Sequence, residues 1–143
     1  MNVLVTGASA GFGAAIARRF AAAGHHIIAA GRRADRLEAL ADEIGRDKVL
    51  PLILDVRDRE AVAKAIASLP ADFAEIDLLV NNAGLALGLE AAQAADLDNW
   101  DTMVDTNIKG LMYVTRAVLP GMVARNRGHV INIGSTAGAV GPK

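Results

Sequence analysis

The chain has 143 residues, 15 Lys and Arg against 16 Asp and Glu, no cysteine and 52% hydrophobic residues. A length near 150 argues for one domain with a sizeable core, and this composition argues against disorder. The net charge of −1 excludes the electrostatic footprint of a nucleic-acid binder, and the lack of cysteine excludes disulfides, thiolate catalysis and zinc-thiolate sites. Residues 2–6 read as a strand with no basic segment before it, so no signal peptide is expected. Charge or Gly interrupts every apolar run well short of the ~18 residues of a membrane span. These readings predict a soluble, cytoplasmic globular domain.

Apolar runs at Val3–Val5, Ile27–Ala30, Val49–Leu54, Leu78–Val80 and Val130–Ile133 predict five strands buried on both faces. Between the first two, Phe12, Ile16 and Phe20 recur every four residues, and Gly24 is the expected helix stop. Leu37, Leu40, Ala41 and Ile44 outline a second helix closed by Gly45, and Val62, Ile66 and Leu69 a third that ends at Pro70. A longer helical stretch from Leu97 to Arg125 carries Trp100, Val104, Ile108, Leu111, Val114, Val118 and Met122, with a bend or break expected at Gly110 and Pro120. Strands separated by helices cannot pair as hairpins. The expectation is an α/β, Rossmann-type doubly wound parallel sheet with helices on both faces and right-handed crossovers.

The first strand runs into Thr6-Gly7-Ala8-Ser9-Ala10-Gly11-Phe12-Gly13 and then into a helix. Such a turn aims backbone N–H groups and a positive helix end at a diphosphate. Gly7 suits the tight turn, Gly11 close approach to phosphate, and Gly13 close packing of helix on strand. The spacing is G-x-x-x-G-x-G rather than G-x-G-x-x-G, and the Lys-Ser/Thr of a P-loop is absent. After the second strand, where an NAD site needs an acid, stand Gly31-Arg32-Arg33. Guanidinium groups pair with a 2′-phosphate that an acid would repel, so NADP(H) is the expected cofactor. Asp35 is expected to cap the helix that follows. Asp55, at a strand end, is equally explained as a turn cap, and Asn107 inside a helix calls for a polar partner. None of His25, His26 and His129 stands in a carboxylate cluster, and no metal site is expected.

With these motifs in order, the chain resembles the short-chain dehydrogenase/reductases along all 143 residues. The resemblance implies a diphosphate turn at Gly7, Ser9, Gly11, Phe12 and Gly13, and Arg32 and Arg33 at the 2′-phosphate. It implies that Asp55 and Val56 hold adenine, and that Asn81-Asn82-Ala83-Gly84 supports the sheet, with Asn81, Ala83 and Gly84 bordering the ribose. It assigns Asn107 and Ser135 to catalysis, the serine orienting the substrate oxygen and the asparagine a water. Gly-Arg-Arg, Gly-Leu-Ala-Leu-Gly and Ala-Val-Leu-Pro-Gly-Met-Val are similar to bacterial NADP-dependent 3-hydroxy acid dehydrogenases acting on serine and allo-threonine. The implied reaction moves a hydride between NADP(H) and a secondary alcohol or carbonyl, a small 3-hydroxy acid being the expected substrate. The implied partner is a second copy of the chain, in a homodimer or homotetramer.

One part of the family pattern is not among these residues. A tyrosine, with a lysine four residues on, should follow the serine by about a dozen residues, whereas Lys143 stands eight residues after Ser135. Tyr113 is the only tyrosine, with Ala117 at i+4 and Lys109 four residues before it, and reads as a helix-surface or interface residue. The expectation is therefore a single NADP-binding domain over 1–143, incomplete at its catalytic segment. Its five strands should take the order 3-2-1-4-5, ahead of the family's sixth and seventh. Such a chain alone should bind cofactor without turnover, whether as a piece of a longer protein or as a half-domain. A non-catalytic NADPH-binding regulator or scaffold is the alternative from another class. An FMN-binding flavodoxin-like protein shares the layout but gives Asn-Asn-Ala-Gly and Gly-Arg-Arg no role.

Overall fold

A computed structural model describes residues 1–135. Strands Asn2–Thr6 (β1), His26–Gly31 (β2), Val49–Ile53 (β3), Leu78–Asn81 (β4) and His129–Asn132 (β5) form one parallel sheet in the order β3-β2-β1-β4-β5. Val3 pairs with Ile27 on one side and Leu78 on the other, and Leu79 with Val130. Helices Gly11–Ala22 (α1), Ala34–Ile44 (α2), Arg59–Ala67 (α3), the single turn Ala71–Ala74 (α4), Leu97–Val104 (α5) and Leu111–Ala124 (α6) fill the crossovers. A π-helical turn, Asp105–Gly110, joins α5 to α6.

Side chains alternate across a strand, so each inner strand feeds two cores. Val3, Val5, Ile27 and Ala29 pack with Ala17 and Ala21 of α1 and with Leu37, Leu40 and Ala41 of α2. Leu4, Ile28 and Leu79 pack with Val62 of α3 and with Val114, Val118 and Met122 of α6. Each large side chain buried this way contributes ~1.5–3 kcal/mol. Burial on both faces is why these strands read as unbroken apolar runs.

Three local expectations are corrected. The helical period places α1, and Ile16 and Phe20 pack partly buried on the core, but the fully buried face is Gly13, Ala14, Ala17 and Ala21, and Phe12 is 79% exposed. Small residues take that face because the helix starts hard against the glycine turn: a Cβ on Gly13 would run into the Gly7 carbonyl oxygen. Asp35 does not cap α2. The cap is the extended backbone of Arg33, and Asp35 sits in the first turn, where its charge still suits the helix dipole. Along the last helical stretch the chain changes register at the π-helical turn ending in Gly110, while Pro120 is carried inside α6 without ending it.

The sequence pattern of this stretch carries more apolar residues than one sheet-facing stripe needs, and of those off that stripe Met112 is the exposed one. Of Met103, Met112, Tyr113 and Ala117, Tyr113 and Ala117 pack on the second core, and Met103 is half-buried, its Sδ 3.3 Å from the Leu87 N–H. The exposed row is Trp100, Val104, Ile108, Met112, Leu119 and Val123. The π-helical turn shifts the faces of α6 relative to α5, which a constant 3.6-residue period does not anticipate. Among the described residues no helix is long and apolar enough to cross a membrane.

Candidate functional site

Five parallel strands bring their C-terminal ends to one edge of the sheet. Neighbouring connections leave in opposite directions from β1 and β4, which opens a crevice where α/β sheets bind ligands. Every residue assigned to cofactor or catalysis from the sequence lies on this edge or on the segments that follow it.

The crevice is built around the Thr6 hydroxyl, which accepts hydrogen bonds from the N–H groups of Asn82 (3.0 Å) and Ala83 (2.9 Å). The Asn82 amide returns two donations, to the carbonyls of Thr6 (3.0 Å) and Gly7 (3.3 Å). The Ala8 N–H, reaching the Ala30 carbonyl at 2.9 Å, ties the same turn to β2. Each such bond contributes about 1 kcal/mol, and more is lost when a buried partner is left unpaired. Gly7 has a φ of +65°, and a Cβ there would lie 2.9 Å from the Ala83 Cα. Gly11, with a φ of +54°, has no atom within 4 Å of where its Cβ would stand. The turn is thus rigid where it meets the protein and open at Gly11, the fit a diphosphate requires.

Beyond β2, Arg32 and Arg33 are exposed and join no ion pair among the described residues. Ser9 lies beside them: a Cβ on Gly31 would stand 3.4 Å from the Ser9 Oγ. Beyond β3, Asp55 accepts from the Arg57 N–H at 3.0 Å and pairs with its guanidinium at 2.7 Å. The Arg57 side chain holds the Asp55 carboxyl below the usual carboxylate range, against partial burial, and the charge of Arg32 adds to this. Val56 is buried against Gly110, whose Cβ would come within 2.6 Å of the Val56 Cγ2.

At the end of β4, the side-chain amide of buried Asn81 donates to the Thr115 hydroxyl and to the side-chain Oδ1 of Asn132, both at 2.9 Å, locking β4 to β5 and α6. Asn107 sits in the π-helical turn. Its Oδ1 accepts from the Leu85 N–H at 2.9 Å and its Nδ2 donates to the Leu85 carbonyl at 2.8 Å. A Cβ on Gly84 would lie 3.3 Å from that Oδ1, so Gly84 leaves room for the asparagine. The Lys109–Asp105 pair, 3.0 Å, spans the same turn. Ser135 is exposed, three residues beyond β5. Tyr113 is half-buried and packs on the core formed with α3 and α6.

Sequence reasoning singled out the glycines and arginines but passed over Arg57, Thr115 and Asn132, and named Gly110 only as a bend. Thr6 and Asn82 were visible as motif members without their mutual role. A polar residue closing an otherwise apolar strand, as Thr6 does, is the one signal that could have pointed to it.

A family model described as short chain dehydrogenase matches residues 1–143. The chain is 66% identical over 139 residues to an NADP-dependent 3-hydroxy acid dehydrogenase, YdfG, of Salmonella typhi, covering 97% of this chain and 56% of that protein. A solved serine dehydrogenase from Escherichia coli superposes with a TM-score of 0.96 at 60% identity, over 99% of this chain and 65% of that one. A solved closed form of serine dehydrogenase complexed with NADP+ gives 0.97 at 60% identity, over 99% and 57%. The chain spans about half the length of the curated relatives it matches.

Proposed function

Because the chain belongs to the short-chain dehydrogenase family, we propose that it carries the NADP(H)-binding part of a cytoplasmic alcohol–carbonyl oxidoreductase. The observation that carries this reading is the latched glycine turn, open at Gly11, with unpaired Arg32 and Arg33 beside it. Gly7, Ser9, Gly11, Phe12 and Gly13 would hold the diphosphate, Arg32 and Arg33 the 2′-phosphate. Asp55 and Val56 would hold adenine, and Asn81, Ala83 and Gly84 would border the ribose. When bound, the nicotinamide gives or takes a hydride. Ser135 would orient the substrate oxygen through its hydroxyl. Asn107, with both amide ends on the Leu85 backbone, is held in a fixed orientation from which it would position a water.

The relatives named above act, by their names, on serine and 3-hydroxy acids. A small 3-hydroxy acid is the substrate we propose for the longer protein. No tyrosine follows Ser135 within these 143 residues, so the chain by itself is proposed to bind cofactor without turnover. The exposed row along α5 and α6 is proposed as the face on which copies associate.

Charge-assisted bonds to a phosphate contribute ~1.5–3 kcal/mol, and each ~1.4 kcal/mol is tenfold in affinity. Titration should therefore show NADPH binding at least about tenfold tighter than NADH; equal affinities would remove the arginine assignment. A protein extended by its downstream segment should oxidise 3-hydroxy acids and lose this with Ser135→Ala, while turnover by the 143-residue chain would refute the placement of the chemistry.

A further inference from the structure

Arg36 has no place in the cofactor assignment above. It is exposed on the first turn of α2, and together with Ala8 and Ser9 of the glycine turn it lines a cleft between α1 and α2. Ser9 also touches the end of β2, where a Cβ on Gly31 would stand 3.4 Å from its Oγ. Ser9 thus shares a cleft with Arg36 and lies against Gly31, the residue that precedes Arg32 and Arg33.

The surrounding carboxylates are occupied elsewhere. Glu43, the acid lining the cleft, has both oxygens on Arg18, at 2.7 and 3.3 Å. Glu38 and Asp42, the next acids along α2, pair with Arg46 at 2.6 and 2.7 Å. Arg36 joins no hydrogen bond or ion pair among the described residues. Three guanidinium groups thus fall within five residues, with Asp35 among them in sequence and Asp55 under the charge of Arg32; Arg36, on the first turn of α2, stands where the helix dipole disfavours a cation. An unpaired cation at a helix N-terminus breaks a local rule, and such breaks concentrate at functional sites.

We propose that Arg36 is a further specificity-determining residue, reading the 2′-phosphate of NADP(H) from the cleft it shares with Ser9, in addition to Arg32 and Arg33. A phosphate monoester carries close to two negative charges and three acceptor oxygens, enough to engage more than two basic side chains. NADH lacks that group and gains nothing from Arg36. The proposal rests on the NADP(H) reading and deepens it by one residue.

Calorimetric titration of the wild-type chain, Arg36→Gln and Arg36→Lys with NADPH and with NADH tests it. Arg36→Gln should weaken NADPH binding about tenfold and leave NADH within about twofold. Arg36→Lys should fall between, since an ammonium keeps the charge and loses the fork. Unchanged NADPH affinity in Arg36→Gln would overturn the proposal, and so would an equal loss for both cofactors, which makes Arg36 merely structural. A wild-type chain that binds both cofactors equally would instead overturn the NADP(H) reading beneath it. The wild-type titration and the variant titration thus separate the two failures.

Discussion

Between β1 and β4 the strand ends are bound together through Thr6 and Asn82, while along α5 and α6 a row from Trp100 to Val123 lies open to solvent. The first region pairs the Thr6 hydroxyl and the Asn82 side-chain amide internally and has no room for an added atom at Gly7 or Gly13. The second leaves Ile108, Met112 and Val123 more than half exposed, on a stretch whose opposite side is already packed on the sheet. Water-facing polar turns carry ligands, and contiguous apolar faces carry protein contacts. The difference teaches how the two proposed partners divide the molecule: a small anionic molecule is proposed for the polar strand ends, another copy of the chain for the apolar helix face.

The sharpest break in that comparison removes what both regions share. Ile28→Ala, in the core under α3 and α6, should cost about 2–5 kcal/mol in urea unfolding, with loss of cooperativity at both ends of the sheet. Gly13→Ala should cost about 1–3 kcal/mol by forcing α1 off the Gly7 carbonyl, and NADPH binding should disappear in titration. Thr6→Val keeps the shape but strips the acceptor from two N–H groups. It should cost about 1–3 kcal/mol and weaken NADPH binding without affecting the helical row.

The remaining tests lie at the weak end. Ile108→Asp should change unfolding stability by no more than about 0.5 kcal/mol, because the side chain is 55% exposed. Sedimentation should nonetheless show the variant shifted toward monomer relative to the parent; an unshifted distribution would leave the row without its proposed partner. Arg57→Ala should cost under about 1 kcal/mol, since the Asp55 pair is partly solvated. Its sign against pH is set by the lowered Asp55 pKa. The pair's stabilisation is fully present above the ordinary carboxylate value near 4 and is lost as pH falls through the folded value. Wild type and variant should therefore converge in acid and differ at neutral pH.

Strand and helix identities were legible because each is written in consecutive residues: apolar runs for β1 to β5, a 3.6-residue period for α2 and α3, glycines at fixed offsets for the turn. The strand order was legible from the family motifs and from helices that forbid hairpins. Other features depend on residues far apart in the chain and could not be read locally. Asn82 meets Thr6 across 76 residues and Asn107 meets Leu85 across 22. The inner face of α1 follows from how near Gly13 lies to Gly7, not from the spacing of Phe12, Ile16 and Phe20. The change to a π-helical turn accompanies Asn107 holding Leu85 and Gly110 lying against Val56, and it redistributes Met103, Met112, Tyr113 and Ala117 between core and surface. Periodicity records only which residues share a face on an ideal element. Close packing and hydrogen-bond satisfaction decide which face is buried, and both depend on contacts that form only when the chain has folded.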